Sequence, residues 1–300
     1  MLFLLPFFLG AIMLFILPYD PAFGYTAIDG HCRNGNWMYQ RIFQSEVAID
    51  VALIGSSQTM CGVNDSLLDV LLPNMRVANL GYCRRGRSLH YAIIEQLMAH
   101  KQPSWIILEI NPEEDRFSHI NFPYIANSED VLTAPLNQRY MQDIWTALQQ
   151  RFLFWRKKLN GKWQEKHQTA IANHSYLPAG PAAVLDPSRV KGDGRLLQKP
   201  LDGFGQTEYD FSMRLPLYYL QKIADLCRER DIKLGFLYLP SRHHHPEQLP
   251  LEQQKYAEWG KVLIPPQEII QAENSWMDPH HFNDIGSDKL SRWLAKELVL

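Results

Sequence analysis

The feature that most constrains this chain is a series of short apolar runs, each stopped by a turn residue and separated by segments of helical spacing. Residues 47–54 (VAIDVALI) end in Gly55-Ser56-Ser57, residues 75–81 (MRVANLG) repeat the pattern, and SWIILEI (104–110) stops at Asn111-Pro112. Short runs of this kind, without regular polar alternation, read as strands buried on both faces. Between the second and third runs, residues 86–100 place Leu89, Ala92, Ile93 and Leu97 near helical spacing, which predicts a crossover helix. Strand, helix and strand in this order predict an α/β fold: a three-layer α/β/α domain with a mostly parallel sheet. Its ligand crevice is expected at the carboxyl ends of the strands finishing at Ile54, Gly81 and Ile110.

Regularity returns with a helix over 213–230, the strand KLGFLYL (233–239), a short strand at 262–264 and a last helix from Ser287. Residues 112–210 break the rhythm. They read as an insertion holding a helix from Asn137 to about Lys158 and a Pro/Gly-rich loop, LPAGPAAVLDPSRVKGDG. An insertion after the third strand is expected on the crevice side as a partial lid. The domain then covers 47–300, with 20–46 as a linker.

No charged side chain precedes Asp20. As a helix, residues 1–19 measure about 28 Å, close to a bilayer core, and predict a single transmembrane signal-anchor. A signal peptide is the competing reading, although no basic residue precedes the apolar run and no clean small-residue cleavage site follows it. A buried N-terminal helix is the other. The formal net charge of −2 argues against a nucleic-acid partner. Four cysteines in 300 residues are not a small disulfide framework. Cys61 and Cys83 each follow a predicted strand and could meet; Cys32 and Cys227 have no evident mates, and free buried thiols are the simpler reading.

Two local patterns carry chemistry. In Asp278-Pro279-His280-His281-Phe282-Asn283-Asp284-Ile285-Gly286, a carboxylate stands three residues before an imidazole. On a turn it can accept from Nδ1–H and leave Nε2 as a base. Gly55-Ser56-Ser57 supplies a hydroxyl nucleophile directly after the first strand, at the end where the crevice forms.

The blocks IGSSQTMCGV, NLGYCRRGRS, ILEIN and DPHHFNDIG resemble the SGNH-hydrolase (GDSL-like) superfamily. They look most like its membrane-anchored branch, which includes the teichoic-acid D-alanylation protein and periplasmic alginate O-acetylation proteins. The resemblance spans residues 49–111 and 233–299. It implies an SGNH/flavodoxin-like fold with Ser57 as nucleophile, His281 as base, Asp278 as orienting acid, and Gly86 and Asn111 as oxyanion donors. It also implies a serine esterase or acyltransferase, without cofactor, acting on acyl esters of envelope glycans or lipids. Such a domain faces the outer side of the cytoplasmic membrane, and a membrane acyl-donor protein is a possible partner. Two departures stand out: Gly86 fits only with an insertion, and Glu109 and Pro112 replace the family's glycine and aspartate. A non-catalytic envelope module binding carbohydrate or protein is the competing reading.

Arg84, Arg85 and Arg87 form a basic cluster at a predicted helix start, where cations oppose the helix dipole, and suggest binding of an anionic substrate group. His243, His244 and His245 do not predict a metal site, because adjacent side chains diverge while ligands must converge. Residues 151–166 hold six Lys/Arg against one Glu, interleaved with Phe152, Phe154, Trp155 and Trp163. This stretch suits a membrane interface, a partner protein, or a packed helix with one face in water.

Overall fold

A computed structural model describes residues 5–32, 34–111, 114–164, 174–176, 205–242 and 253–299. Three helical segments precede the sheet: α1 (Leu5–Ile16), α2 (Pro21–Cys32) and α3 (Gly35–Tyr39), the last continued by a π-helical turn over Gln40–Gln44. The first half of the body is β1 (Val51–Ile54), α4 (Ser57–Gly62), α5 (Asp65–Leu71), β2 (Val77–Asn79), α6 (Arg87–His100) and β3 (Trp105–Ile110). Helices α7 (Phe122–Ile125), α8 (Ser128–Thr133) and α9 (Tyr140–Leu159) follow. The second half is α10 (Gln206–Glu229), β4 (Lys233–Tyr238), α11 (Gln253–Trp259), β5 (Lys261–Leu263), α12 (Gln267–Ile270) and α13 (Asp284–Val299).

The five strands are all parallel, in the order β2-β1-β3-β4-β5. Alternate residues of β1 feed two cores. Ala52 and Ile54 pack with Leu89 and Ile93 of α6 and Tyr219 and Ile223 of α10, while Val51 and Leu53 pack with Leu68 of α5 and Leu290 and Leu294 of α13. Both faces of the sheet are therefore covered, which is why the strand sequences are continuously apolar. From β1 the chain steps to one side for β2 and to the other for β3, so the strand order reverses between β1 and β3. At such a reversal the crossovers diverge and leave a crevice beyond the carboxyl ends of the two strands.

Several expectations are revised. Residues 20–46 are not a linker: α2 and α3 insert Tyr25, Ile28 and Met38 into the core, and Ile42 of the π turn joins them. The apolar N-terminus is not one continuous helix to residue 19. Pro18 lacks an N–H and restricts the residue before it, so α1 stops at Ile16 and α2 leaves at 96° to it. Among the described residues no single helix is long and apolar enough to cross a membrane, and only the bent pair Leu9–Ile16 with Pro21–Cys32 has the composition. The first half of the insertion is not a lid, because α7 packs on α2, α6 and α9 and brings Phe122 and Ile125 into the main core. Cys32 pairs with Cys83, at a Cα–Cα distance of 6.0 Å, and Cys61 and Cys227 remain free thiols. The loop 177–194 and His243, His244 and His245 lie outside the described residues.

Candidate active site

Ser57 opens α4 directly beyond β1. Ser56 caps that helix, its hydroxyl accepting from the Gln58 N–H at 3.1 Å. Gly55 stands where the turn meets β3: a Cβ there would lie 2.1 Å from Thr59 Oγ1 and 2.6 Å from the Glu109 side chain. Only a glycine lets the turn close this tightly.

His281 reaches Ser57 from the other half of the chain. Its Nε2 lies 2.8 Å from Ser57 Oγ, and its Nδ1 lies 2.8 Å from Asp278 Oδ2. The second Asp278 oxygen accepts from the His280 and His281 amides at 2.7 and 2.8 Å. Partial burial pushes the Asp278 carboxyl up, but the His281 ring and these two amides outweigh it and hold it at about 2. A carboxylate fixed on Nδ1 leaves Nε2 as the hydroxyl's acceptor, the arrangement required of a general base.

The other residues of the histidine block hold this turn in place. Asn283 accepts from the Ile285 and Gly286 amides at the start of α13 and donates to the Asn274 and Trp276 carbonyls. At Gly286 a Cβ would fall 2.3 Å from the Ser275 carbonyl oxygen, so the glycine permits the close approach of the preceding loop. Gln58 donates to the carbonyls of Pro240 and His280 at 3.3 and 3.1 Å, tying the serine helix to the end of β4 and to the histidine turn.

Glu109 is the residue that sequence reasoning missed. Its buried carboxylate accepts from Ser56 N at 2.8 Å, Ser56 Oγ at 2.7 Å, Thr59 N at 3.0 Å, Thr59 Oγ1 at 2.6 Å and Asn111 Nδ2 at 2.6 Å. The parallel register, with Ile54 beside Leu108, places Gly55 next to Glu109. Five donors on two oxygens meet the solvation need of a buried charge and fix the start of α4.

Gly86, at φ 155°, and Asn111 line a small crevice together with Arg85, Arg87, His90 and Glu109. One hydrogen of the Asn111 amide is committed to Glu109, which leaves the other. The Gly81 N–H is consumed by Asn79 Oδ1 at 3.0 Å. The arginine cluster divides. Arg84 and Arg85 are exposed, Arg84 with a left-handed φ of 65°, whereas Arg87 is buried. Arg87 forks onto Glu114, with Nε–Oε2 at 2.7 Å, and donates to the Glu109 carbonyl at 2.8 Å. Glu114 neutralises the cation at the start of α6, and these bonds hold the Arg87 guanidinium within the fold.

No protein-family model matches this chain, and comparison with curated proteins returns no significant match.

Proposed function

We propose that this chain is a serine-dependent esterase or O-acyltransferase of the SGNH-hydrolase type, acting on acyl esters of envelope glycans or lipids. One observation carries the proposal: the unbroken relay from Ser57 Oγ through His281 to Asp278, with both links at 2.8 Å. In this reading His281 takes the Ser57 proton as Oγ attacks the ester carbonyl, and Asp278 stabilises the resulting imidazolium. The second Asn111 amide hydrogen and the backbone N–H groups of Ser57 and Gly86 receive the oxyanion. His281 then returns its proton to the departing alkoxide. Water resolves the acyl-enzyme in an esterase, and a glycan hydroxyl does so in a transferase. The strand order 2-1-3-4-5 is the flavodoxin-like one, and it favours a site at the β1/β3 reversal.

The protein is proposed to work at the outer face of the cytoplasmic membrane, held there by its apolar N-terminus. The Cys32–Cys83 disulfide suits an oxidising compartment. The decisive experiment is labelling of the purified chain with a serine-reactive fluorophosphonate, with Ser57→Ala as control. A stoichiometric adduct that disappears in Ser57→Ala is expected. Folded protein without a Ser57-dependent adduct would leave the non-catalytic binding module as the reading.

A further inference from the structure

Helix α9 turns Asp143, Ala147, Arg151 and Phe154 inward. On its opposite side Met141, Trp145, Phe152 and Leu159 are 72, 62, 54 and 80% exposed. Their spacing of four, seven and seven residues keeps them within about 40° of one line at 100° per residue. Helix α1 shows the same habit, with Leu5, Leu9, Ile12, Met13 and Ile16 all more than half exposed. The two helices touch. The Arg151 guanidinium lies 5.1 and 5.0 Å from the Phe15 and Tyr19 ring centres, and Tyr19 meets the Phe154 ring edge-on at 5.5 Å.

Exposed apolar stripes of this length are uncommon on a soluble surface. Their charge surroundings point to the occupant. The last turn of α9 exposes Arg156, Lys157 and Lys158, and Lys162 follows. The only acidic residue on α9 is the buried Asp143, and α1 has none. An amphipathic helix with an aromatic-apolar face and a purely cationic rim matches an anionic lipid surface.

We infer that α9 lies in the plane of an anionic bilayer surface beside α1, with the Met141–Trp145–Phe152–Leu159 stripe in the acyl boundary and the cations among the headgroups. The inference rests on the proposed membrane location but not on the proposed chemistry. It makes membrane contact a property of the folded body as well as of the N-terminus.

The test uses the full chain with Cys61 and Cys227 changed to Ser, and a nitroxide on Met141→Cys, Phe152→Cys, Leu159→Cys or, as the aqueous control, Gln221→Cys. Each variant is mixed with vesicles of phosphatidylethanolamine and phosphatidylglycerol after its fold is checked by circular dichroism. The three α9 labels should gain collisions with oxygen, lose collisions with a nickel chelate, and report one common depth; the control should stay aqueous. Lys157→Gln with Lys158→Gln should lower vesicle affinity about thirtyfold at low salt and less at high salt. A chain that binds vesicles while its α9 labels stay in water overturns the inference and leaves N-terminal anchoring intact. No binding at all overturns both, without touching Ser57 labelling. Immobilised labels without oxygen gain would mark α9 as a protein-docking face and also overturn it.

Discussion

Two polar constellations meet near the carboxyl ends of β1 and β3, and they are built on opposite principles. In the first, Ser57, His281 and Asp278 are joined head to tail, with the His281 and Asp278 side chains 19 and 36% exposed. In the second, Glu109 and the Arg87–Glu114 pair are almost fully buried, and Tyr256 adds its hydroxyl to Glu114. The buried set is saturated: its charges are matched by neighbours and have no reason to move. The relay is under-committed, since its hydroxyl and imidazole can exchange a proton and still face an incoming group. Saturation makes a scaffold; spare hydrogen-bonding capacity beside a hydroxyl makes a site.

The strongest way to break this comparison is to alter the relay. Asp278→Asn should lower Ser57-dependent turnover by about 10⁴-fold, because the amide can present the wrong partner to Nδ1–H, while stability at neutral pH falls by only about 1 to 2 kcal/mol. Equal losses in rate and stability, measured by fluorophosphonate labelling and urea unfolding, would erase the distinction between the two sets. The Asp278 carboxyl is held below its unfolded value. Its contribution is therefore complete above about pH 4 and is lost only as the pH falls towards 2.

The next largest effect is expected from the saturated set. In Glu109→Gln the amide group must replace one carboxylate oxygen, and if it takes the Oε1 position it faces the Asn111 amide donor to donor. The expected cost is about 2 to 3 kcal/mol in urea unfolding, with slower Ser57 labelling because the start of α4 loosens. Labelling at the parental rate would show that scaffold and chemistry are fully separable.

A third carboxylate sharpens the rule from the other side. Asp143 is buried with only Ser118 donating to it; its Oδ1 has no hydrogen-bond partner, and Arg139 stands 4.0 Å away. Burial pushes its carboxyl up to about 6, and Ser118 and Arg139 offset this only in part. The folded form then holds this proton more tightly than the unfolded form, so stability falls as the pH rises from about 4 to 6. Asp143→Asn should therefore stabilise the fold by about 1 to 2 kcal/mol at pH 8 and leave it unchanged below pH 4. Unfolding at the two pH values measures the difference directly.

What was legible in the sequence follows from how local each signal is. The runs around Val51, Val77, Trp105 and Lys233 announce strands because burial on both faces removes polar alternation. Asp278 and His281 are readable because their partnership spans one turn. Glu109 was legible only as a departure from the block it resembles, because four of its five donors come from Ser56 and Thr59, 53 and 50 residues earlier, and are set beside it by the β1–β3 register. The pairing of Arg87 is illegible for the same reason: its neutralising partner lies 27 residues on. Helix α2, with two glycines in PAFGYTAIDGHC, has little helical propensity of its own and is held by its packing on α3 and α7.

The Cys32–Cys83 crosslink has a topological consequence. It turns residues 32–83 into a covalent ring that contains β1, the serine turn and β2. A single proteolytic cut inside that ring would leave the two fragments joined, and they would part only on reduction. The unfolded chain would also keep this loop closed, which in the chain-entropy account removes about 4 kcal/mol of disorder from the denatured state. Ser57 is thus carried on a stretch of backbone whose ends cannot separate, even when everything around it has melted.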